Sequence, residues 1–141
     1  MSDASGEQRS AAPRAATGRP LRVLVADDFE PVRTLAVRML EKLGHHEVSE
    51  AADGQEAVQA LERAPHDLLL LDLSMPRMSG LDVVRWVNNR PEIGAVLTIV
   101  VISASAHDER PTLAELGVSR VLPKPFRLQQ IADVIASLPR R

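Results

Sequence analysis

From Leu21 to Leu138 the chain alternates short apolar runs with segments of helical periodicity, five times over. Few folds accept that alternation. Leu21-Arg22-Val23-Leu24-Val25-Ala26 is a buried-strand run that ends in Asp27-Asp28. Pro31 suits the first turn of a helix, in which Val32, Leu35, Ala36, Met39, Leu40 and Leu43 fall on one face before Gly44 stops it. His46 to Ala51 reads as a weak second strand. Asp53 with Glu56 then forms an acidic variant of a capping box, ahead of a helix that buries Ala57, Val58 and Leu61 and ends at Pro65. Asp67-Leu68-Leu69-Leu70-Leu71-Asp72 is the clearest central strand. A loop with Pro76 and Gly80 leads to a helix over Leu81 to Asn88. Leu97 to Ile102 forms a fourth strand ending at Ser103, Arg110 to Leu116 a fourth helix, and Arg120 to Leu122 a fifth strand. Leu128, Ile131, Ala132, Ile135 and Leu138 line the last helix.

Five strands alternating with five helices predict an α/β domain over residues 21–139, a parallel sheet covered on both faces. Residues 1–20, rich in Ala, Ser, Arg, Gly and Pro, read as a disordered tail whose Arg9, Arg14 and Arg19 offer at most contacts to an acidic partner. Composition narrows the function classes. The net charge of -2 and 2% aromatic content argue against a nucleic-acid binder that works by charge or base stacking. The absence of Cys excludes disulfides, thiolate catalysis and Cys-ligated zinc, and fits a reducing cytosol. No apolar stretch approaches the length of a membrane span, and the N-terminal residues hold no apolar h-region, so a secretory signal is not expected.

In such a sheet, ligands bind beyond the carboxyl ends of the strands. Asp27 and Asp28 end the first strand, Asp72 the third and Ser103 the fourth, and Lys124 follows the fifth. Each alone has an ordinary explanation. The acidic pair caps a helix, the serine bonds nearby backbone, and the lysine is solvated. Their joint placement on one edge is what separate explanations do not cover. Three carboxylates brought together repel unless a cation joins them, and oxygen-only ligands suit Mg2+. Asp28 and Asp72 are expected as direct ligands, Asp27 directly or through water, and the Ser74 backbone carbonyl as a further oxygen. Asp72 is the candidate nucleophile, with Lys124 and Ser103 placed to stabilise a phosphoryl group. His45 and His46 are adjacent and lack metal-pair spacing, His66 and His107 are isolated, and Trp86, Met75 and Met78 read as packing residues.

Four separated segments resemble the response regulator receiver domain family, over about Leu21 to Leu138. Val23-Leu24-Val25-Ala26-Asp27-Asp28 resembles its acidic pair. Leu71-Asp72-Leu73-Ser74-Met75-Pro76-Arg77-Met78-Ser79-Gly80 resembles the segment around its phosphorylated aspartate. Val100-Val101-Ile102-Ser103-Ala104 resembles its Thr/Ser-Ala step, and Leu122-Pro123-Lys124-Pro125-Phe126 its Lys-Pro-Phe signature. The resemblance implies a flavodoxin-like fold of strand order 2-1-3-4-5 and phosphorylation of Asp72. The implied donor is a sensor histidine kinase or a histidine phosphotransfer protein, and the implied cofactor is Mg2+. It also implies a cis Lys124-Pro125 peptide, a state that only about 5–6% of X-Pro bonds adopt. The family's usual output face, formed by the fourth helix, fifth strand and fifth helix, would present Arg110, Arg120, Arg127 and Gln130 to a protein target.

One position departs from the pattern. Where family members commonly carry Tyr or Phe, three residues before the lysine, this chain has Val121. A valine cannot signal by aromatic rotation, so a smaller or differently located change at the output face is expected. The chain ends soon after the last helix, so output is expected through a protein partner, in the manner of a stand-alone regulator. Two other classes share parts of the constellation. A phosphorylation-independent interaction module would need no acidic cluster. A haloacid-dehalogenase-type phosphatase would carry a second aspartate where Ser74 stands, together with a cap domain.

Overall fold

The computed structural model describes residues 20–44 and 47–138. β1 (Arg22–Ala26) leads into α1 (Glu30–Gly44), β2 (Glu47–Ala51) into α2 (Gly54–Arg63), and β3 (Leu68–Asp72) into α3 (Gly80–Asn88). A single turn, α4 (Pro91–Gly94), precedes β4 (Thr98–Ser103). Then come α5 (Ala106–Glu115), β5 (Val121–Pro123) and α6 (Leu128–Ala136). The strands form one parallel sheet in the order β2-β1-β3-β4-β5. This is the doubly wound, flavodoxin-like order expected from the sequence.

The central strands read as unbroken apolar runs because both faces of the sheet are covered. Alternate residues go opposite ways. Leu24, Ala26, Leu69, Leu71 and Val101 pack with Ala57 and Leu61 of α2, Val83, Val84 and Val87 of α3, and Leu113 of α5. Val23, Val25, Leu68, Leu70, Val100 and Ile102 pack with Ala36 and Leu40 of α1 and with Phe126, Ile131, Val134 and Ile135 around α6. All four leucines of β3 are fully buried. Truncating one to Ala is expected to cost about 3 kcal/mol, the lost transfer energy plus the cavity left behind.

Local chemistry starts and stops the helices near the site. Asp53 caps α2 by accepting from the Glu56 amide at 2.8 Å. Glu56 reaches back to the amide of Ala52 at 2.8 Å, one residue before the usual capping-box partner. Ser79 caps α3 by accepting from the Asp82 amide at 3.2 Å. A side chain at Gly80 would put its Cβ 2.5 Å from the Asp72 carbonyl oxygen, so only glycine lets α3 begin this close to the end of β3.

Several expected boundaries move. The fourth long helix begins at Ala106, four residues before the sequence-based start at Arg110, because the Ser105 carbonyl accepts from the Asp108 and Glu109 amides and so starts the helix where no apolar face announces it. The fifth strand runs Val121–Pro123, one residue later than expected. α4 is an additional turn begun by Pro91, whose missing N–H costs nothing at a first helical position. Leu35, placed with the buried face of α1, is 44% exposed, since Ala36 and Leu40 are the residues turned to the sheet. Trp86 packs at the edge of the core beneath the Arg90 guanidinium, 4.0 Å from its ring centroid. Met75 and Met78 anchor the loop after β3. The tail at 1–19, with Arg9, Arg14 and Arg19, and the pair His45–His46 lie outside the described residues.

Candidate functional site

The strand order reverses direction between β1 and β3, and the carboxyl ends of these two strands bring Asp27 and Asp72 to the same edge. Asp27 is 2% exposed and Asp72 is 5% exposed. Asp28 follows at the surface. One carboxylate oxygen from each of Asp27, Asp28 and Asp72 lies within 4.8 Å of the others.

Lys124 closes the cluster from the end of β5. Its Nζ donates to Asp72 Oδ1 at 3.1 Å. It also forms an ion pair with Asp27 Oδ2 at 3.0 Å, and that buried oxygen has no other donor. The Lys124-Pro125 peptide is cis, as the resemblance implies. Lys124 is tied to β4 as well, because its amide donates to the Ser103 carbonyl at 3.0 Å.

Burial raises the Asp72 pKa. The hydrogen bond from Lys124 opposes this, the carboxylates of Asp27 and Asp28 add to it, and the net displacement is upward. Burial lowers the Lys124 pKa, but its contacts with Asp27 and Asp72 outweigh that, and the net displacement is again upward. One ammonium therefore faces three carboxylates. A small hard cation suits what remains. The donors are oxygens, they converge, and one buried oxygen has no donor besides Lys124.

Ser103 is 4% exposed at the end of β4. Its Oγ accepts from the Ser105 amide at 3.1 Å, the local backbone bond that a lone serine commonly makes. It also lies 3.4 Å from Ser105 Oγ, a hydroxyl pair in which either oxygen can donate. Ser74 is exposed in the loop two residues beyond Asp72. Val121 is buried at the start of β5, and its carbonyl accepts from Arg110 Nη2 at 3.3 Å. Arg120 is bonded to Ser137, and Gln130 accepts from the Arg127 amide at 2.7 Å. His107 is exposed on α5. His66 is buried at the opposite edge of the sheet, 2.9 Å from the Ala64 carbonyl, with its pKa lowered by burial. Neither histidine joins the cluster.

Two sets of contacts escaped the sequence reading. Arg33 Nη1 donates to the Asp27 carbonyl at 2.7 Å, and its Nε donates to Glu50 Oε1 at 3.0 Å. Arg77, at φ 67°, donates from Nε to Asp53 Oδ2 at 2.8 Å and ties the loop after β3 to the start of α2. Arg33 lies in no motif, and Arg77 lies in the segment around Asp72 without carrying a role there. Both look like solvated helix or loop charges until the fold brings their partners near.

The comparisons agree with this geometry. Residues 23–136 match the family model described as the response regulator receiver domain. The chain is 29% identical over 121 residues to the chemotaxis protein CheY of Pseudomonas aeruginosa, covering 86% of this chain and 98% of that one. It is 34% identical over 117 residues to the transcriptional regulatory protein PdtaR of Mycobacterium tuberculosis, covering 82% of this chain and 55% of that one. Among solved structures, the receiver domain of the sensor histidine kinase PA1611 of Pseudomonas aeruginosa, with a magnesium ion coordinated in its active site cleft, superposes with a TM-score of 0.76. It is 26% identical, and the match covers 85% of this chain and 98% of that one. The chain belongs to the response regulator receiver domain family.

Proposed function

We propose that this receiver domain accepts a phosphoryl group on Asp72 from a sensor histidine kinase or a histidine phosphotransfer protein, in the cytoplasm, and signals by binding another protein. The observation that carries this reading is the convergence of Asp27, Asp28 and Asp72 on one edge with Lys124 bonded to Asp72. An oxygen of Asp72 forms the new bond to phosphorus as the donor's phosphorus–nitrogen bond breaks, and the leaving imidazole keeps the electron pair. Asp27, Asp28, Asp72 and the Ser74 backbone carbonyl would hold Mg2+. The ion would supply charge neutralisation to the phosphoryl oxygens. The magnesium in the cleft of the PA1611 receiver supports that assignment. Lys124 turns from Asp27 and Asp72 toward one phosphoryl oxygen, and the Ser103 hydroxyl donates to another. Catalysis in such a site is positioning and charge neutralisation, so no side chain needs an unusual protonation state at neutral pH.

The partner is a protein, with neither nucleic-acid binding nor membrane insertion required. Among the described residues no helix is long and apolar enough to cross a membrane. The face formed by α5, β5 and α6 is the proposed output surface. Val121 moves the expected change away from an aromatic rotation. Val121 also favours a second reading, an interaction module that works without phosphorylation. Partner binding unchanged in a folded Asp72→Asn variant would select it.

The test is incubation with acetyl phosphate and Mg2+ followed by intact-mass measurement, beside Asp72→Asn. The expected result is one added phosphoryl group that depends on Mg2+ and is absent in the variant. No addition to wild type, together with no binding of beryllofluoride, would overturn the proposal.

A further inference from the structure

Asp27 is fixed on almost every side. Its amide donates to the Ala51 carbonyl at 3.1 Å, its Oδ1 accepts from the Phe29 amide at 2.9 Å, and its carbonyl accepts from Arg33 Nη1 at 2.7 Å. Only Oδ2 is left facing the cluster, where Lys124 Nζ stands 3.0 Å away. The Arg33 contact is chemically costly at this place. A guanidinium is always charged, and here it sits against the loop whose carboxylates would hold a divalent cation. A neutral donor would orient the carbonyl without repelling that cation.

Glu50 removes the difficulty. It lies on β2 beside Val25 of β1 and accepts from Arg33 Nε at 3.0 Å. The guanidinium fork thus grips the Asp27 backbone with one arm and a compensating carboxylate with another. The Arg33 side chain is 16% exposed and the Glu50 side chain is 47% exposed. An ion pair with one partner so exposed contributes little to stability. Its effect belongs to the field at the acidic edge.

We infer that Arg33 is a positioning residue for Asp27 in the Mg2+ site and that Glu50 cancels its charge, so that the acidic loop is held rigid without weakening cation binding. The inference rests on the proposed Mg2+ site. It assigns Arg33 and Glu50 no contact with the cation or the phosphoryl group.

The test is calorimetric titration of the full chain with Mg2+ alone, in about 0.02 M and about 0.5 M monovalent salt, the range over which screening of exposed charges becomes nearly complete. Glu50→Gln leaves Arg33 bonded to Asp27 but uncompensated. It is expected to melt close to wild type and to bind Mg2+ about fivefold more weakly in low salt, with the gap closing in high salt. Arg33→Lys keeps the charge but loses the fork, so it is expected to weaken Mg2+ binding at both salt concentrations. If Glu50→Gln and Arg33→Lys both bind Mg2+ as wild type does in low salt, the pair is an ordinary surface contact and the inference is overturned. A wild-type chain that takes up no Mg2+ overturns the metal site itself and this inference with it. Wild-type binding with unchanged variants overturns the inference alone.

Discussion

β3 is flanked by a buried aspartate at each end, and the two have opposite surroundings. Asp67, just before the strand, is 1% exposed. Its Oδ2 accepts from the Arg22 amide at 2.8 Å, with Arg22 Nε 3.7 Å away. Its own amide and carbonyl are bonded to Arg22 and Thr98. Asp72, at the far end, is nearly as buried but shares one ammonium with Asp27 and is crowded by Asp28. A buried carboxylate is therefore not by itself a site. Asp67 is a structural fastening because donors and a counter-charge surround it. Asp72 is crowded by like charges that one ammonium does not balance, which is why it, and not Asp67, is the proposed phosphoacceptor.

Substitutions at the two ends sharpen that contrast. Asp67→Asn is expected to lower folding stability by about 2 kcal/mol, the loss of a charge-assisted hydrogen bond to buried backbone and of the charge facing Arg22. Urea unfolding measures it, and a change below the error of the method would mean that Asp67 is not the fastening described. At the other edge, Asp28→Asn is expected to weaken Mg2+ binding at least about tenfold while Asp67→Asn leaves it unchanged. Calorimetry reads both, and equal affinities would separate the acidic cluster from metal binding.

Asp72→Asn is expected to raise stability without Mg2+ by about 1 kcal/mol, since it removes one of the crowded carboxylates. The sign follows from the pKa. In the folded chain Asp72 titrates above its ordinary value of 3.8, so the folded state holds the proton longer than the unfolded state. Wild-type stability relative to the variant thus falls as pH rises from 3.8 through the folded pKa, and the two converge in acid. A variant less stable than wild type at neutral pH would contradict the crowding. The smallest effect is at Asp53, whose pKa is lowered by the Glu56 amide first and the Arg77 guanidinium second. That stabilisation is present above the ordinary value of 3.8 and is lost as pH falls through the folded pKa. Asp53→Asn keeps the cap and loses the ion pair, so its melting temperature should fall only slightly, and only above that pH.

The architecture was legible because a parallel sheet covered on both faces writes its strands as continuous apolar runs. The end of β3 that bears the site was legible from strand direction. Asp67 and Asp72 bracket the same four leucines, and only Asp72 lies at a carboxyl end. What escaped depends on neighbours distant in the chain. Arg33 looks like a solvated helix charge until β2 places Glu50 beside it. The early start of α5 has no apolar face to announce it, and Leu35 matches the helical period without reaching the sheet. Ser103 reads in the sequence both as a hydroxyl that could donate to a phosphoryl oxygen and as a serine bonded to nearby backbone, and the Ser105 amide supplies that backbone bond.

The most direct test of the central claim is to locate the phosphoryl group by its chemistry. Phosphorylate the chain with acetyl phosphate and Mg2+, reduce the acyl phosphate with borohydride, and map the peptides by mass. The account predicts conversion of Asp72 alone to homoserine. Conversion at Asp27, Asp28 or Asp67, or a phosphoryl group that survives borohydride, would contradict it.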